Sequence, residues 1–192
     1  AIFIADIGDN PSTRPNVTIY VVPEPILDSG PIPASVTVAR KMVLTYEDKP
    51  HNAEALLVDP SGGEIVIVTK EIDGASGVFA VSDPQSTTTS TLVRKTTLAF
   101  GKGELAGDVL VTDGSVSPDG TLIALRTYAN AFLWKRAPGA SIADTLKDTR
   151  PCKIATTAET QGEAIAFAAD KAGYFTTSEG AKQPIWFFSL SF

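Results

Sequence analysis

Residues 51–82 have the sequence HNAEALLVDPSGGEIVIVTKEIDGASGVFAVS. Three segments in this stretch, AEALLV, EIVIVTK and GVFAVS, are short, apolar and mostly rich in β-branched residues, which favours β-strands over helices. The turn DPSGG and the loop EIDGAS separate them and supply the Pro, Asp and Gly residues that hairpins require. The stretch therefore predicts three consecutive antiparallel strands.

The same pattern occurs twice more in the chain. One copy, LVTDGSVSPDGTLIALRTYANAFLWKR, begins at Leu110, and another, TQGEAIAFAADKAGYFTTSEGAKQPIWFFSL, begins at Thr160. Each copy has a small-residue strand, a tight turn, a second apolar strand, a polar loop and a bulky third strand. Glu54 of the first copy aligns with Glu163 of the third. Repetition at such a period indicates a repeat architecture.

The distribution of side-chain size favours a β-propeller. The innermost strands of a propeller crowd around a central channel and suit small residues, as in AEALLV, DGSVS and GEAIAFAA, whereas outer strands accept bulk. Residues 91–99 and 153–157 are expected to form outermost fourth strands. We therefore predict an all-β propeller of four-stranded antiparallel blades, with a β-sandwich of similar hairpins as the alternative.

Residues 1–192 are treated as one propeller domain or a portion of one, with about four blades' worth of sequence. The expected blades are 1–46 (partial), 51–99, 110–157 and 160–192 (partial). The first blade lacks an innermost strand and the last lacks a fourth strand. Because natural sheets avoid long unpaired edges, we expect the missing part of the propeller, or another protein chain, to complete the array.

Composition excludes several classes of function. The 192 residues carry 16 Lys and Arg against 22 Asp and Glu, a net charge of −6, so nucleic acid is not an expected partner. No run of about 18 apolar residues is present, so no membrane span is expected. The single cysteine, Cys152, rules out an internal disulfide. It is expected to be a small buried residue, with a reactive thiol or an intermolecular disulfide as the alternative. The single histidine, His51, rules out multi-histidine metal motifs.

Helical periodicity is nearly absent. The one candidate covers residues 141–147, where Ser141 is a suitable N-cap residue. We interpret this segment as a loop insertion that does not contribute to the core.

Propeller topology predicts one shared rim of side chains. The first strand of a blade runs between the two faces and the second returns antiparallel to it, so the start of one lies beside the end of the other. This rim is where we expect a small ligand to bind. Its predicted members are Asp6, Asp9, Asn10, Arg14, His51, Asn52, Glu54, Lys70, Glu71, Asp113, Arg126, Glu163 and Glu179. The turns around Gly62, Gly120 and Lys171, at the opposite end, are expected to be structural.

Carboxylates that converge from several blades suit a hard cation such as calcium, which prefers several anionic oxygen ligands. The predicted metal ligands are Asp6, Asp9, Glu54, Asp113 and Glu163. For Asp9 the alternative is a side-chain-to-backbone turn in the segment DIGDN.

Two cations on the same rim, Lys70 and Arg126, could hold an anionic small molecule against that metal. The alternative is that they form ordinary ion pairs with acidic neighbours. Separately, Asn16-Val17-Thr18 is an N-glycosylation sequon, which has meaning in a secreted eukaryotic protein.

Several segments resemble the β-propeller phytases and the phytase-like, esterase-like propellers grouped with them. In GEAIAFAADKAGYFTTSEG followed by PIW, a Glu-Ala pair opens the innermost strand, and a Gly-Tyr strand, a Ser-x-Gly segment and an Ile-aromatic strand follow. The stretch AEALLVDPSGGEIVIVTKE is similar to the same unit in a neighbouring blade. The segments IADIGDN and YEDKPHNAEALLVDP are similar to secreted bacterial propellers.

The resemblance implies calcium at the channel mouth, carried by Glu54 and Glu163 at their matching positions. Two features depart from it. The acidic motif of the first innermost strand, which would precede Ile2, is absent from this sequence, and the basic cluster that binds phosphate is reduced to Lys70, Arg126 and Arg14. A shared scaffold does not confer a shared activity.

The leading hypothesis is a secreted or cell-surface propeller that acts as a binding or assembly module, with calcium bound at one channel mouth. The first alternative is a calcium-dependent phytase-like phosphoesterase or esterase, with Glu54, Glu163 and Arg126 as the candidate catalytic residues. The second is an assembly subunit whose unpaired blade edges join neighbouring copies.

Overall fold

The computed structural model describes residues 1–26, 34–82, 84, 88–101, 105 and 107–191. Within these residues the chain forms fourteen strands and one helix. Blade 1 consists of β1 (Ile2–Asp6), β2 (Val17–Val22) and β3 (Arg40–Tyr46). Blade 2 consists of β4 (Ala53–Val58), β5 (Glu64–Thr69), β6 (Ala75–Ser82) and β7 (Thr89–Ala99). Blade 3 consists of β8 (Val111–Val116), β9 (Leu122–Thr127), β10 (Ala131–Lys135), the helix α1 (Ile142–Asp148) and β11 (Cys152–Ile154). Blade 4 consists of β12 (Gly162–Phe167), β13 (Gly173–Ser178) and β14 (Ile185–Ser189).

Consecutive strands within each blade pair antiparallel, in the orders β1-β2-β3, β4-β5-β6-β7, β8-β9-β10-β11 and β12-β13-β14. The first strand of blade 2 packs against the first strand of blade 3, which in turn packs against the first strand of blade 4. Innermost strands that neighbour one another in this way are typical of a radial array. The predicted all-β propeller fold is confirmed.

The hydrophobic core lies between the blades. One cluster joins blades 1 and 2 and includes Ile19, Leu44 and Ile67, and a second joins blades 2 and 3 and includes Leu57 and Leu125. A third and smaller cluster joins blades 3 and 4. The second strands of blades 2 and 3, β5 and β9, are therefore buried on both sides along their whole length.

Blades 1 and 2 share a continuous seven-stranded sheet, which the sequence did not predict. The strand β7 is eleven residues long. Its first residues, 89–92, pair in parallel with β3, and the rest of the strand pairs antiparallel with β6. Because β7 is long, this one strand supplies hydrogen-bonding partners to the outermost strand of blade 1 and to the third strand of blade 2.

The helix α1 is a core element, and our interpretation of this segment as a peripheral insertion was wrong. Ser141 accepts a hydrogen bond from the Asp144 backbone N–H at 2.9 Å and caps the helix as predicted. Ile142 and Leu146 lie one turn apart on the same face and are buried in the cluster between blades 2 and 3. Glu64 of blade 2 also accepts the Ile142 N–H at 2.8 Å.

Cys152 is exposed in the outermost strand β11, so the expectation that it is buried was wrong. Its strand has three residues and lies at the edge of the four-stranded sheet of blade 3. Among the described residues, no helix has the length and apolar character needed to span a membrane.

Candidate functional site

Each of the innermost strands β4, β8 and β12 carries a β-bulge at its second residue. The pairing with the next strand skips one position there, and the skipped residues are Glu54, Thr112 and Glu163. A bulge takes the side chain of its extra residue out of the regular alternation and re-aims it. Three equivalent bulges therefore present side chains at the same end of three neighbouring strands.

The residues that follow the second strands lie beside these bulges. They are Lys70 after β5, Tyr128 after β9 and Glu179 after β13. Lys70 Nζ donates a hydrogen bond to Glu54 Oε2 at 2.7 Å and another to Tyr128 Oη at 2.7 Å. We name the group Glu54, Lys70, Tyr128, Glu163 and Glu179 the mouth cluster. It joins three blades at one end of the array.

Electrostatics within the mouth cluster are unbalanced. Burial raises the pKa of Glu163 above its ordinary value of 4.5, and the negative charges of Glu54 and Glu179 add to the increase, against the opposing effects of Lys70 and Tyr128. Burial alone would lower the pKa of Lys70, but its hydrogen bonds to Glu54 and Tyr128 outweigh burial and raise it. The single ammonium is already paired, so the cluster retains an excess of negative charge.

Asp113 lies one residue beyond the bulge of β8, and its carboxylate points between blades 3 and 4. Its Oδ2 accepts the Ile165 backbone N–H at 2.8 Å and so fastens β8 to β12. Burial raises the pKa of this carboxyl from 3.8 to about 6, although hydrogen bonds and Arg126 oppose the shift. The residue of blade 3 equivalent to Glu54 and Glu163 is therefore Thr112, whose hydroxyl donates to the Gly162 carbonyl at 2.8 Å.

Arg126 is 1% exposed and lies between blades 3 and 4. Its Nη1 lies 2.8 Å from Glu159 Oε2 and donates to the Ala164 carbonyl at 3.0 Å. Glycine at position 162 makes room for this side chain, because a Cβ there would overlap the guanidinium. The arginine is thus occupied by a buried ion pair that joins two blades.

The segment that follows β1 folds against blade 2. The Asp9 N–H donates to Asn52 Oδ1 at 2.7 Å, and Asn52 Nδ2 donates to Asn10 Oδ1 at 3.0 Å. Asp9 Oδ2 accepts the Arg14 backbone N–H at 2.7 Å, an arrangement of the side-chain-to-backbone kind. Arg14 Nη1 pairs with Asp6 Oδ1 at 2.7 Å. This region borders a cavity of about 170 Å³. The residues that line it are Asn10, Ser12, Asn52, Lys70, Glu71, Ile72 and Leu110.

His51 is 3% exposed and lies between two carboxylates. Its Nδ1 is 2.7 Å from Glu71 Oε1, and its Nε2 is 3.0 Å from Asp48 Oδ1. Arg94 also pairs with Asp48, at 2.8 Å. The ring packs against Tyr46 and Phe79. Both ring nitrogens and the Glu71 carboxylate are therefore engaged in a compact network beside the mouth cluster.

Four of the five predicted calcium ligands have other partners in the structure. Glu54 is held by an ammonium, Asp6 by a guanidinium, and Asp9 and Asp113 accept backbone N–H groups. Within the described ranges, no group of three or more His, Cys, Asp or Glu side chains is arranged to hold a metal ion. Because a carboxylate has acceptor sites beyond those used in these contacts, calcium binding at this rim stays a prediction.

Sequence reasoning missed Tyr128 and Glu159. Tyr128 follows Lys70 by 58 residues, the same spacing as between Pro60 and Pro118, so the repeat itself marked it as a rim position. Glu159 carried no such signal, because its segment precedes β12 and has no counterpart in the alignment of the three copies. Asn16, the acceptor of the sequon, is exposed immediately before β2.

The turns at the opposite end are built alike. Gly62, Gly120 and Lys171 all have positive φ values, of 81°, 72° and 61°, and each donates its N–H to the carbonyl three residues earlier. Arg136 of blade 3 forms an ion pair with Asp59 of blade 2, with 2.7 Å between Nη2 and Oδ2. Both residues line a cavity of about 490 Å³. Turn backbone and paired charges line this larger cavity, which is consistent with a structural role.

Comparison with solved structures supports the fold. The chain is similar to TolB from Acinetobacter baumannii, a protein that contains a β-propeller, with a TM-score of 0.52 and 13% sequence identity. The match covers 97% of this chain and 38% of the TolB chain. No family model matches the sequence, and no curated protein matches it. At this identity the likeness establishes the propeller fold alone.

Proposed function

We propose that this chain is a β-propeller binding module that receives a cationic group of a partner at the mouth cluster. One observation carries the proposal: among the described residues, Glu54, Glu163 and Glu179 lie at one end of the array with one ammonium, that of Lys70, which is bonded to Glu54. Burial first, and then repulsion from Glu54 and Glu179, raises the pKa of Glu163, and a Lys or Arg side chain of a partner protein would offset both effects.

The accessibility of these groups supports binding. Glu179 is exposed, and Glu163 and Tyr128 are half-buried, so an incoming cation reaches carboxylates that are partly desolvated. Such partial burial strengthens a charge pair relative to one on an open surface. Lys70 Nζ lies 4.4 Å from the centroid of the Tyr128 ring and makes a cation–π contact with it. A cationic side chain of a partner could contact the ring in the same way.

The ligand proposed here is cationic, whereas the sequence predicted an anionic small molecule at this rim. The cations expected to hold an anion, Lys70 and Arg126, are paired with Glu54 and Glu159. The phytase-like hydrolase needs both a metal and a free basic group, so the contacts among the described residues favour the binding module over it.

Isothermal titration with a tetralysine peptide tests the proposal. We expect wild-type protein to bind the peptide, and Glu163→Gln to weaken the binding by about tenfold, because loss of one partly buried carboxylate costs about 1.4 kcal/mol. Asp170→Asn is the matched control, since it removes the same charge from an exposed turn at the opposite end. Protonation of Glu163 should also weaken binding as the pH is lowered through its raised pKa.

Equal binding by both variants, or equal binding of a tetraglutamate peptide, would contradict the proposal. Calcium-dependent release of phosphate from p-nitrophenyl phosphate, lost in Glu54→Gln, would support the hydrolase instead. We also propose, from the resemblance to secreted propellers, that the protein lies outside the cell. Fractionation of the source cells tests this, and recovery in the cytoplasmic fraction would contradict it.

A further inference from the structure

Lys70 places a cation of the chain itself inside the mouth cluster. Its side chain is 9% exposed, and its Nζ donates to Glu54 Oε2 and to Tyr128 Oη, each at 2.7 Å. The same Nζ lies 4.4 Å from the centroid of the Tyr128 ring. A carboxylate, a phenol oxygen and a ring face together suit an ammonium group. One place for an ammonium in this cluster is therefore already filled, between blades 2 and 3.

The resident ammonium is held firmly. The Lys70 backbone N–H donates to the Asn52 carbonyl at 2.9 Å, which ties the residue to the segment just before β4. Burial alone would lower the pKa of Lys70, but the hydrogen bonds to Glu54 and Tyr128 outweigh burial and raise it, so the group stays charged at neutral pH. An incoming cation therefore meets an occupant of its own sign.

The acceptors left for a partner belong to two carboxylates beside Lys70. In the described contacts Lys70 bonds to Oε2 of Glu54, and the Oε1 atom can accept from another donor. Glu163 lies near enough to Glu54 that, after burial, the Glu54 charge is the next largest cause of its raised pKa. Tyr128 hydrogen-bonds to Glu163 as well as to Lys70. Glu54 and Glu163 thus flank the filled place.

Ammonium and guanidinium groups use such acceptors differently. An ammonium is a compact point charge, so a lysine of a partner needs the kind of place that Lys70 fills. A guanidinium presents five N–H donors in a planar fork and can bridge two carboxylates. An arginine can therefore donate to Glu163 and to Glu54 Oε1 while Lys70 stays bonded to Glu54 Oε2.

We propose that Lys70 makes the mouth cluster selective for guanidinium over ammonium groups, so that the partner presents an arginine. This inference rests on the proposed function, in which a cationic group of a partner binds here. Lys70 excludes a second ammonium because it fills the place and repels like charge. The repulsion acts on an arginine too, but the additional hydrogen bonds of the guanidinium offset it.

Isothermal titration with acetylated and amidated tetraarginine and tetralysine tests the proposal. Both peptides carry the same charge, so general attraction to a protein of net charge −6 cancels in the ratio of their dissociation constants. We expect wild type to bind tetraarginine about tenfold more tightly than tetralysine. Lys70→Met has a side chain of similar length without the charge. It should vacate the ammonium place and lower the ratio to about threefold or less.

Lys49→Met is the matched control. Lys49 is exposed in the loop before β4, and its replacement changes the net charge by the same amount as Lys70→Met. The preference for tetraarginine should keep its wild-type value in this variant, because Lys49 lies outside the mouth cluster.

A second measurement follows Lys70 in wild type, should Lys70→Met fail to fold. Acetylation of lysine side chains by sulfo-N-hydroxysuccinimide acetate, read by mass spectrometry, should be slower at the buried Lys70 than at the exposed Lys49. Saturating tetraarginine, which carries no amine once acetylated, should not speed the reaction at Lys70, because the arginine binds beside Lys70 and leaves it in place.

The outcomes separate this inference from the proposed function. An equal ratio in wild type and Lys70→Met, or faster acetylation of Lys70 when tetraarginine binds, overturns the inference and leaves the proposed function standing. A ratio lowered as much in Lys49→Met would trace the preference to net charge and would also overturn the inference. Binding of neither peptide by wild type or by Lys70→Met overturns the proposed function and this inference with it.

Discussion

Three carboxylates near the channel mouth have different roles because their surroundings differ. Glu54 pairs with Lys70, Asp113 fastens two blades through a backbone N–H, and Glu163 remains without an ammonium of its own in the described contacts. The sequence placed all of them near one rim, since the repeat determines strand starts. The 58-residue spacing of the repeat aligns Glu54 with Thr112, so the sequence held the information to separate Asp113 from the two glutamates.

Asp113 makes stability depend on pH. Its pKa is about 6 in the folded protein and 3.8 in a free side chain, so the folded state binds the proton more tightly. The stabilisation from this group is fully present below pH 3.8 and is lost as the pH rises through about 6. Asp113→Asn should therefore raise the free energy of unfolding at pH 7 by up to about 3 kcal/mol relative to wild type, and by little at pH 4.

Urea denaturation at both pH values checks this prediction. Asp119→Asn is a control of opposite sign, since the hydrogen bond from Lys171 lowers the pKa of Asp119 and stabilises the protein above pH 3.8. An Asp113→Asn variant that is no more stable than wild type at pH 7 would contradict the assigned burial.

At the scale of elements, short-range pattern predicted the strands and turns, and long-range packing decided the rest. Tight turns at Gly62 and Gly120 follow from local residue chemistry. The parallel pairing of β3 with β7 and the burial of α1 involve partners far away in sequence. A seven-residue helix has too few periodic positions to reveal which face is apolar, so its role in the core could not be predicted.

The helix α1 should contribute strongly to stability. Leu146 is 2% exposed, and its replacement by alanine should leave a cavity that lowers the free energy of unfolding by about 2–5 kcal/mol. The neighbouring residue Lys147 is exposed, and Lys147→Ala should change the free energy of unfolding by less than about 0.5 kcal/mol. Equal effects in chemical denaturation would place the helix outside the core.

At the scale of the whole molecule, a radial array explains how residues 109 positions apart, Glu54 and Glu163, come to share one end. The likeness to TolB over 97% of the chain is consistent with this arrangement. Repetition in the sequence was sufficient to predict the array. The partners of Arg126 and the excess charge of the mouth cluster depend on side-chain packing between blades, which the repeat does not encode.

Carbon-13 NMR titration of the Glu163 carboxyl, in wild type and in Glu54→Gln, tests the shared channel mouth most directly. Burial and the charges of Glu54 and Glu179 raise the pKa of Glu163 above 4.5. Removal of the Glu54 charge also releases Lys70, so both effects should lower the pKa of Glu163 in the variant. A Glu163 carboxyl that titrates at 4.5 in wild type and does not move in Glu54→Gln would show that the two blades do not meet there.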